Sequence, residues 1–316
     1  MCDAVAGGKV VLLQTIILVT RQMLAMFAYM AVGGLLFHAR VLTEDGAKTL
    51  ANLLVKLVIP AVIVNSFCVA FTPERLAGLG AGLALSALLL AAAILPSRLL
   101  FPRNGVHEFA AEFSNAGFLG IPLVQGAVGT HAVFYIAGFV ALLNLLQVTY
   151  GVRRINPKQA PLRLRTLAGI PIVWAFAIGL CLFWSGWGAA LPPVIKTTLS
   201  GICTLNTPLA MMVLGCYFAK AKLFALFTTP SLYLVSFVRL LAIPALSLLL
   251  LWALPVSGEM RLALLLAAAA PVGANVAIYA QLQGGDYAYA CNTVVLSTLL
   301  SLGTIPIVAL LGNLIL

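Results

Sequence analysis

A few ionisable side chains lie inside long apolar runs of this sequence. Glu112 is one of them, four residues after Glu108 and five after His107, and Arg239 lies in a later apolar run. Ionisable residues in membrane-length apolar segments are costly and usually functional. Glu112, Glu108 and His107 could relay protons, although Glu108 and His107 could equally be solvated at a membrane surface. Arg239 needs a carboxylate or carbonyl partner, and we expect a structural role over an anion-binding one.

The segment FSNAGFLGIPL, residues 113–123, contains a Ser-Asn pair, two glycines and a proline. Proline removes a backbone donor and glycine loosens a helix, so the pattern predicts a helix broken by Gly117, Gly120 and Pro122. The freed backbone groups must face protein or a water-filled cavity, because lipid cannot satisfy them. Asn115 precedes Pro122 by about two helical turns and can donate to an anion; the alternative is a helix–helix hydrogen bond.

A second segment, APVGANVAIYA at residues 270–280, has the same features, with Pro271 followed one turn later by Asn275. If the two breaks meet near the middle of the membrane, they form a small polar site between opposed helix ends. The positive N-terminal ends of the half-helices would attract an anion there. Asp286 follows QLQGG in this region and is either a turn residue or a supporting acid.

The composition predicts an integral membrane protein. Of the 316 residues, 63% are hydrophobic and 8% are charged, and the mean hydropathy is +1.11, whereas soluble domains carry about 25% charged residues. The net charge of +10 comes from Lys and Arg in short connections, which favours the lipid bilayer over nucleic acid as a partner. Six cysteines without a CxxC pair indicate small core residues and no metal site.

Charges and turn residues divide the chain into ten predicted transmembrane helices, so the predicted fold class is all-α. The spans are 23–38, 50–70, 77–100, 107–127, 131–151, 166–186, 197–219, 231–254, 261–282 and 288–312. Residues 1–22 are predicted to be a retained extension of the first helix, since Arg21 and a second apolar run follow the signal-like stretch after Lys9 without a clear cleavage site.

The distribution of basic residues predicts the orientation. Connections after odd-numbered spans hold eleven basic residues and the other side holds five, which places both termini outside and the basic linker 153–165 in the cytoplasm. The eleven are Arg40, Lys48, Arg98, Arg103, Arg153, Arg154, Lys158, Arg163, Arg165, Lys220 and Lys222. The expected location is the cell (inner) membrane.

The linker separates two five-span halves, residues 23–152 and 166–316, which therefore enter the membrane in opposite senses. Prolines occur in corresponding spans: Pro60 with Pro208, and Pro122 with Pro271. Inverted repeats with interrupted helices at matching positions are a design of secondary transporters.

Four segments carry a resemblance to a known family. They are LTEDGAKTLANLLVKLVIPAVIVNSF (42–67), EFSNAGFLGIPLV (112–124), LNTPLAMMVLG (205–215) and APVGANVAIYAQLQGGDYAYACNTVVLSTLLSLGTIPI (270–307). The chain resembles the auxin efflux carriers, which include plant PIN-type and bacterial organic-acid carriers. The resemblance implies a five-plus-five inverted repeat like that of sodium/bile-acid symporters, with broken helices 4 and 9 crossing. Helices 1, 2, 6 and 7 would form a scaffold and a homodimer contact, and the other six a moving unit.

The resemblance also implies site residues. Asn115 and Pro122 match the family's helix 4 crossing and Pro271 its helix 9 crossing, while Gln281 stands where plant carriers have Lys. The expected substrate-binding residues are Ser114, Asn115, Gly120, Pro122, Pro271, Asn275 and Gln281; the expected coupling or supporting residues are Asn65, Glu112, Arg239 and Asp286.

The sequence thus predicts a secondary carrier of small organic anions, with mono- or dicarboxylates such as malonate or malate favoured by the resemblance. Alternatives are an auxin-like aromatic acid exporter and an anion channel or sensor. No cofactor is expected; protons, sodium or the membrane potential could drive transport. An enzyme is disfavoured because HEFAA lacks the second His of a zinc site and QGGD lacks the leading Gly of an aspartyl protease motif.

Overall fold

A computed structural model describes residues 2–158, 169–221 and 223–316, and these residues are built from helices. In chain order the helices are α1 (Cys2–His38), α2 (Glu44–Ser66), α3 (Pro73–Leu100), α4 (Gly105–Glu112), α5 (Ala116–Ala127), α6 (Thr130–Ile155), α7 (Pro171–Trp184), α8 (Pro193–Lys220), α9 (Leu223–Thr228), α10 (Pro230–Trp252), α11 (Gly258–Ala269), α12 (Asn275–Leu282) and α13 (Tyr287–Ile315).

Within the described part of the chain, seven helices are long and apolar enough to cross a membrane: α1 from Ile17 onward, α2, α3, α6, α8, α10 and α13. They coincide with predicted spans 1, 2, 3, 5, 7, 8 and 10, so the chain is a multi-pass membrane protein. Predicted spans 4 and 9 are each divided into two short helices, α4–α5 and α11–α12. Predicted span 6 is represented by the shorter α7; its first residues, and residues 159–165 of the predicted basic linker, lie outside the described ranges.

Three helices accommodate a proline in the same way. One wide, π-helical turn precedes each Ile-Pro pair: Leu54–Val58 before Pro60, Ala116–Gly120 before Pro122, and Val238–Ala242 before Pro244. Proline lacks an N–H and clashes with the carbonyl four residues back. A wide turn changes the hydrogen-bond spacing at that point, so the helix continues past the proline instead of ending.

The helices pack in two groups, and α1 of the first group also contacts α5 and α13. In the first, α1 lies along α8, and α2 packs against α7 and α8. Small residues allow the close approach of α1 and α8: a Cβ on Gly33 would overlap the main chain of Met212, and one on Gly215 the carbonyl of Met30. The second group contains α3, α6, α10, α11 and α13, with the short helices α4 and α12 held among them.

Candidate functional site

The two interrupted helices meet at their interruptions. Phe113–Asn115 separate α4 from α5, and residues 270–274 separate α11 from α12. The segments pair as an isolated antiparallel bridge between Ser114 and Val272. The Asn115 amide donates to the Pro271 carbonyl at 2.7 Å, and the Gly273 amide donates to the Phe113 carbonyl at 3.0 Å. Each break therefore satisfies backbone groups of the other, as an interruption within a membrane protein requires.

The structure corrects the residues that break the first helix. The expectation that Gly117, Gly120 and Pro122 cause the break is wrong: Gly117 and Gly120 lie in the wide turn of α5, and Pro122 follows within the same helix. The chain leaves the helix earlier, at Phe113. Pro122 is thus removed from the crossing, and its carbonyl accepts a hydrogen bond from the Gln22 side chain at 3.2 Å. Pro271, by contrast, lies in the second break itself.

Arg239, on α10, holds the two helix ends that precede the breaks. Its guanidinium Nη1 donates to the carbonyls of Ala111 (3.2 Å) and Glu112 (3.0 Å) at the end of α4. Its Nη2 donates to the carbonyl of Ala268 at the end of α11. The side chain is fully buried. One fixed positive charge therefore meets the negative, C-terminal ends of both half-helices, the structural role expected from the sequence.

A carboxylate cluster adjoins the crossing. Glu112, the last residue of α4, is buried, and its Oε1 lies 3.1 Å from the Tyr150 hydroxyl. The same hydroxyl lies 3.0 Å from Oε1 of Glu108, one turn earlier on α4. Glu108 Oε2 receives two contacts from Arg154, at 2.7 Å each from Nε and Nη2. Arg98 Nε lies 3.6 Å from Glu108 Oε1.

His107 does not join this cluster through any described hydrogen bond. Its ring stacks on that of Tyr289, with centroids 4.1 Å apart and planes 13° apart. Of the three residues that the sequence suggested for proton transfer, the structure therefore brings Glu108 and Glu112 together around Tyr150 and places His107 against α13.

Several buried polar atoms at the crossing have no partner. The Asn115 side chain is 4% exposed and its Nδ2 donates to no acceptor, and the Ser114 Oγ is also unpaired. Elsewhere, at the turn within α8, Asn206 is also fully buried with both amide atoms unpaired. Unpaired buried polar groups are costly, so the side chains of Ser114 and Asn115 at the first break are candidates for contact with a polar ligand.

Asn275 and Asp286 have partners. Asn275 begins α12 and donates through Nδ2 to Gln147 Oε1 at 2.8 Å. Asp286 is exposed and accepts from the Tyr289 amide at 2.9 Å, so it caps the N-terminus of α13. Of the two interpretations of Asp286, a turn residue or a supporting acid, its geometry fits the turn residue, which here also caps a helix.

The remaining two candidates line separate cavities between the two helix groups. Asn65 lines a cavity of about 420 Å³, with Gln125, Thr130, His131 and Thr204. Gln281 lines a cavity of about 240 Å³, with Lys48, Tyr217, Lys220 and Tyr287. Asn65 and Lys48 are seventeen residues apart on α2, which corresponds to roughly 25 Å. The cavities thus open towards opposite ends of α2, and neither is lined by Asn115.

Sequence reasoning missed four residues that contact the crossing or the carboxylate cluster: Gln147, Tyr150, Arg154 and Ser297. Gln147, Tyr150 and Arg154 recur at three to four residues, so one face of α6 could have been recognised as polar. The Ser297 hydroxyl accepts a hydrogen bond from the Val272 amide at 3.1 Å. The two residues are 25 positions apart, so no local sequence pattern could have predicted this contact.

Two family models match different parts of the chain. Residues 18–169 match the family described as membrane transport protein, and residues 206–313 match the sodium bile acid symporter family. A protein of Methanothermobacter thermautotrophicus described as an uncharacterized transporter is 25% identical over 303 residues, which cover 91% of this chain and 96% of that relative. These families are transporters rather than enzymes.

Proposed function

We propose that this chain is a secondary carrier that moves small organic anions by alternating access. Its resemblance to the auxin efflux carriers is confirmed by these matches. The observation that carries the proposal is the buried, unpaired Nδ2 of Asn115 at the crossing. Asn115 immediately precedes α5, whose first amides point back towards the crossing with the positive end of the helix dipole. A carboxylate fits such a donor set without a neighbouring cation.

We propose the ten-span inverted repeat as the architecture, with residues 23–152 and 166–316 as its halves. Antiparallel pairing of the two breaks supports it, as do the two family matches, one in each half. The proposed location is the cell (inner) membrane, with both termini outside and the linker in the cytoplasm, on the distribution of basic residues. Helices 1, 2, 6 and 7 form the proposed scaffold and homodimer contact, and α1, α2, α7 and α8 do pack as one group.

The two cavities support alternating access. Both lie where α2 and α8 of the scaffold group face the other helices, and they are near opposite ends of α2. Movement of the crossing relative to the scaffold would join Asn115 to one cavity and then to the other. The cavity of Gln281 contains Lys48 and Lys220, two cations that attract an anion to that end of the pathway.

The favoured substrates are mono- or dicarboxylates such as malonate or malate. Gln281 carries no charge at the position of the plant carriers' Lys, which counts against indole-acetate, and the preference for compact acids rests on the family resemblance. Arg239 already binds the carbonyls at both helix ends that a sodium ion would use. This arrangement favours protons or the membrane potential over sodium at those carbonyls.

The experiment that tests the function is a thermal-shift screen of the purified protein. Malonate, malate, lactate and indole-acetate are each added with sodium or choline as the counter-cation. We expect one of the small carboxylates to raise Tm in both salts, because a ligand that binds only the folded state stabilises it. Counterflow in proteoliposomes then separates a carrier from a channel or a sensor. If no acid changes Tm and none exchanges, the proposed function is wrong.

Asn115→Ala tests the site. Loss of one hydrogen bond to a charged ligand is worth roughly 1.5–3 kcal/mol, so the dissociation constant of the stabilising acid should rise by about tenfold or more. Tm without ligand should be nearly unchanged, since the Nδ2 has no partner to lose. Asn144→Ala is the matched control: its Nδ2 bonds the Val140 carbonyl within α6 at 2.8 Å, so affinity should not change. Equal affinities in both variants would remove Asn115 from the site.

A further inference from the structure

The Tyr150 hydroxyl lies between two carboxyl groups, and this arrangement fixes where hydrogens can be. A hydroxyl has one hydrogen to donate and lone pairs that accept. The Tyr150 oxygen is 3.0 Å from Glu108 Oε1 and 3.1 Å from Glu112 Oε1. If both carboxyls were ionised, only one of these contacts could be a hydrogen bond, and the other would press two oxygens together without a hydrogen between them.

The positive partners of the cluster decide which carboxyl is ionised. Glu108 faces Arg154 at 2.7 Å and Arg98 at 3.6 Å, and these two cations stabilise its charge. No described cation contacts the Glu112 carboxyl, because the nearby Arg239 donates to main-chain carbonyls instead. Tyr150 then donates to Glu108, and Glu112 must supply the hydrogen for its own contact with Tyr150.

The second oxygen of Glu112 leads to the same assignment. Glu112 Oε2 is buried and has no hydrogen-bond partner. A buried ionised oxygen without a partner is far more costly than an unpaired neutral carbonyl oxygen. A protonated Glu112 therefore satisfies its contact with Tyr150 and reduces the cost of leaving Oε2 unpaired.

We propose that Glu112 is a proton-carrying site and that its proton leaves by way of Tyr150 and Glu108 towards the membrane face that bears Arg98 and Arg154. The proton of Glu112 passes to the Tyr150 oxygen while the Tyr150 hydroxyl proton passes to the Glu108 carboxylate. The Glu108 side chain is itself 0% exposed, so that proton is released where its partners Arg154 and Arg98 reach water, with side chains 30% and 55% exposed. Glu112 ends as a carboxylate, Tyr150 and Glu108 return to their starting forms, and one proton has been released.

The surroundings of α4 contain the other groups that set the charge of Glu112. Facing α4 from the helices packed on it are Arg98 of α3, Tyr150 and Arg154 of α6, Arg239 of α10, Tyr279 of α12 and Tyr289 of α13. Asp286, at the start of α13, interacts electrostatically with His107, and His107 and Glu108 lie on α4 itself. When Glu112 loses its proton, the new negative charge lies next to the crossing and near the guanidinium that holds both helix ends. Proton release and rearrangement of the crossing are therefore electrostatically linked.

This inference rests on the proposed anion carrier, but the proton site has a test that needs no substrate. Infrared difference spectra of the purified protein, recorded through a pH titration, should show a protonated carboxylic acid band that is absent from Glu112→Gln. The band should be present in Tyr29→Phe, a matched control whose hydroxyl lies on an exposed part of α1. A spectrum identical in wild type and Glu112→Gln would overturn the proton site, whatever the protein transports.

Proteoliposomes test the pathway. With malonate or malate as the probe, an imposed pH gradient should drive uptake in the wild type and in Tyr29→Phe, while Tyr150→Phe should slow it by about tenfold or more because the hydroxyl that passes the proton is lost. In Glu112→Gln, gradient-driven uptake should be lost and any remaining counterflow should no longer depend on pH.

Purified variants are first compared by Tm and by elution, so that a misfolded Glu112→Gln is recognised. If Glu112→Gln is misfolded, Glu112→Asp is used instead. This variant keeps the carboxyl and should keep pH-dependent uptake. Gradient-driven uptake retained in folded Glu112→Gln, or undiminished in Tyr150→Phe, would overturn the pathway. Wild-type protein without any counterflow would instead reject the carrier itself and leave the infrared result standing.

Discussion

The two breaks have matching backbones and different side chains. Each exchanges a hydrogen bond with the other, and each is preceded by a helix end that Arg239 holds. The first break, however, lies among Glu112, Ser114 and Asn115, which leave polar atoms unpaired. The second passes through Ala270, Pro271, Val272 and Gly273, whose side chains are apolar or absent, and the Val272 amide is taken by Ser297.

This difference indicates a division of labour between the two halves of the chain. The second break supplies close-packed backbone and a fixed frame, while the first supplies the polar groups to which the proposals above assign anion binding and proton transfer. Unpaired buried atoms weaken the fold, and the proposed ligand would complete the hydrogen bonds of those at the first break. The following variants sharpen or break this comparison, from the largest expected effect to the smallest.

Arg239 belongs to both breaks, so its loss should have the largest effect. Arg239→Ala removes the donor from carbonyls of α4 and α11 at once, and each buried carbonyl left without a partner costs about 1–3 kcal/mol. Arg239→Lys keeps the charge, but a single ammonium cannot reproduce the planar fork that spans two helix ends. We expect Tm to fall in the order wild type, Lys, Ala. Equal Tm in all three would show that the guanidinium does not hold the crossing.

Much of the fold could be predicted from the sequence because hydropathy directly reflects the membrane. The seven long helices lie on predicted spans, and Pro271 lies in an actual break. The position of the first break could not be predicted as well. Glycine and proline weaken a helix locally, yet the wide turn Ala116–Gly120 accommodates Pro122 and the helix continues. The chain is interrupted instead at Phe113. There the second break stabilises an extended backbone by pairing with it, and none of the residues Phe113, Ser114 and Asn115 requires that conformation by itself.

The site was predictable in part. Ser114, Asn115, Glu112 and Arg239 are conspicuous because polar residues are rare in apolar runs. Their partners are not conspicuous: Tyr150 and Ser297 are ordinary residues of apolar helices and acquire a role only through contacts made across the fold. Asp286 shows the reverse, since a charged residue in a short loop here caps a helix.

Two glycines compare the packing within the second break with that of the wide turn that follows the first. A Cβ at Gly273 would lie 3.1 Å from the Ser114 oxygen and 3.2 Å from the Phe113 oxygen, both main-chain atoms. Gly273→Ala should therefore cost about 1–3 kcal/mol by overpacking the crossing. At Gly120 the nearest atoms are at 3.4–3.7 Å, ordinary contact distances. Gly120→Ala should be neutral or stabilise the protein by roughly 0.4–1 kcal/mol through the unfolded chain. Thermal unfolding in detergent measures both variants. A larger loss of stability in Gly120→Ala than in Gly273→Ala would contradict the structural role assigned to the second break.

Two serines give the finest test. Ser297 accepts the buried Val272 amide, whereas Ser114 Oγ has no partner. Ser297→Ala should cost about 1–3 kcal/mol, because it leaves a buried amide unpaired. Ser114→Ala should leave unfolding nearly unchanged, since no bond is lost, and should instead weaken binding of the stabilising acid by a few-fold. Measurements of Tm with and without that acid separate the two effects. If Ser114→Ala lowers stability as much as Ser297→Ala and leaves affinity for the acid unchanged, the first break also has a structural role, and its unpaired atoms do not bind a ligand.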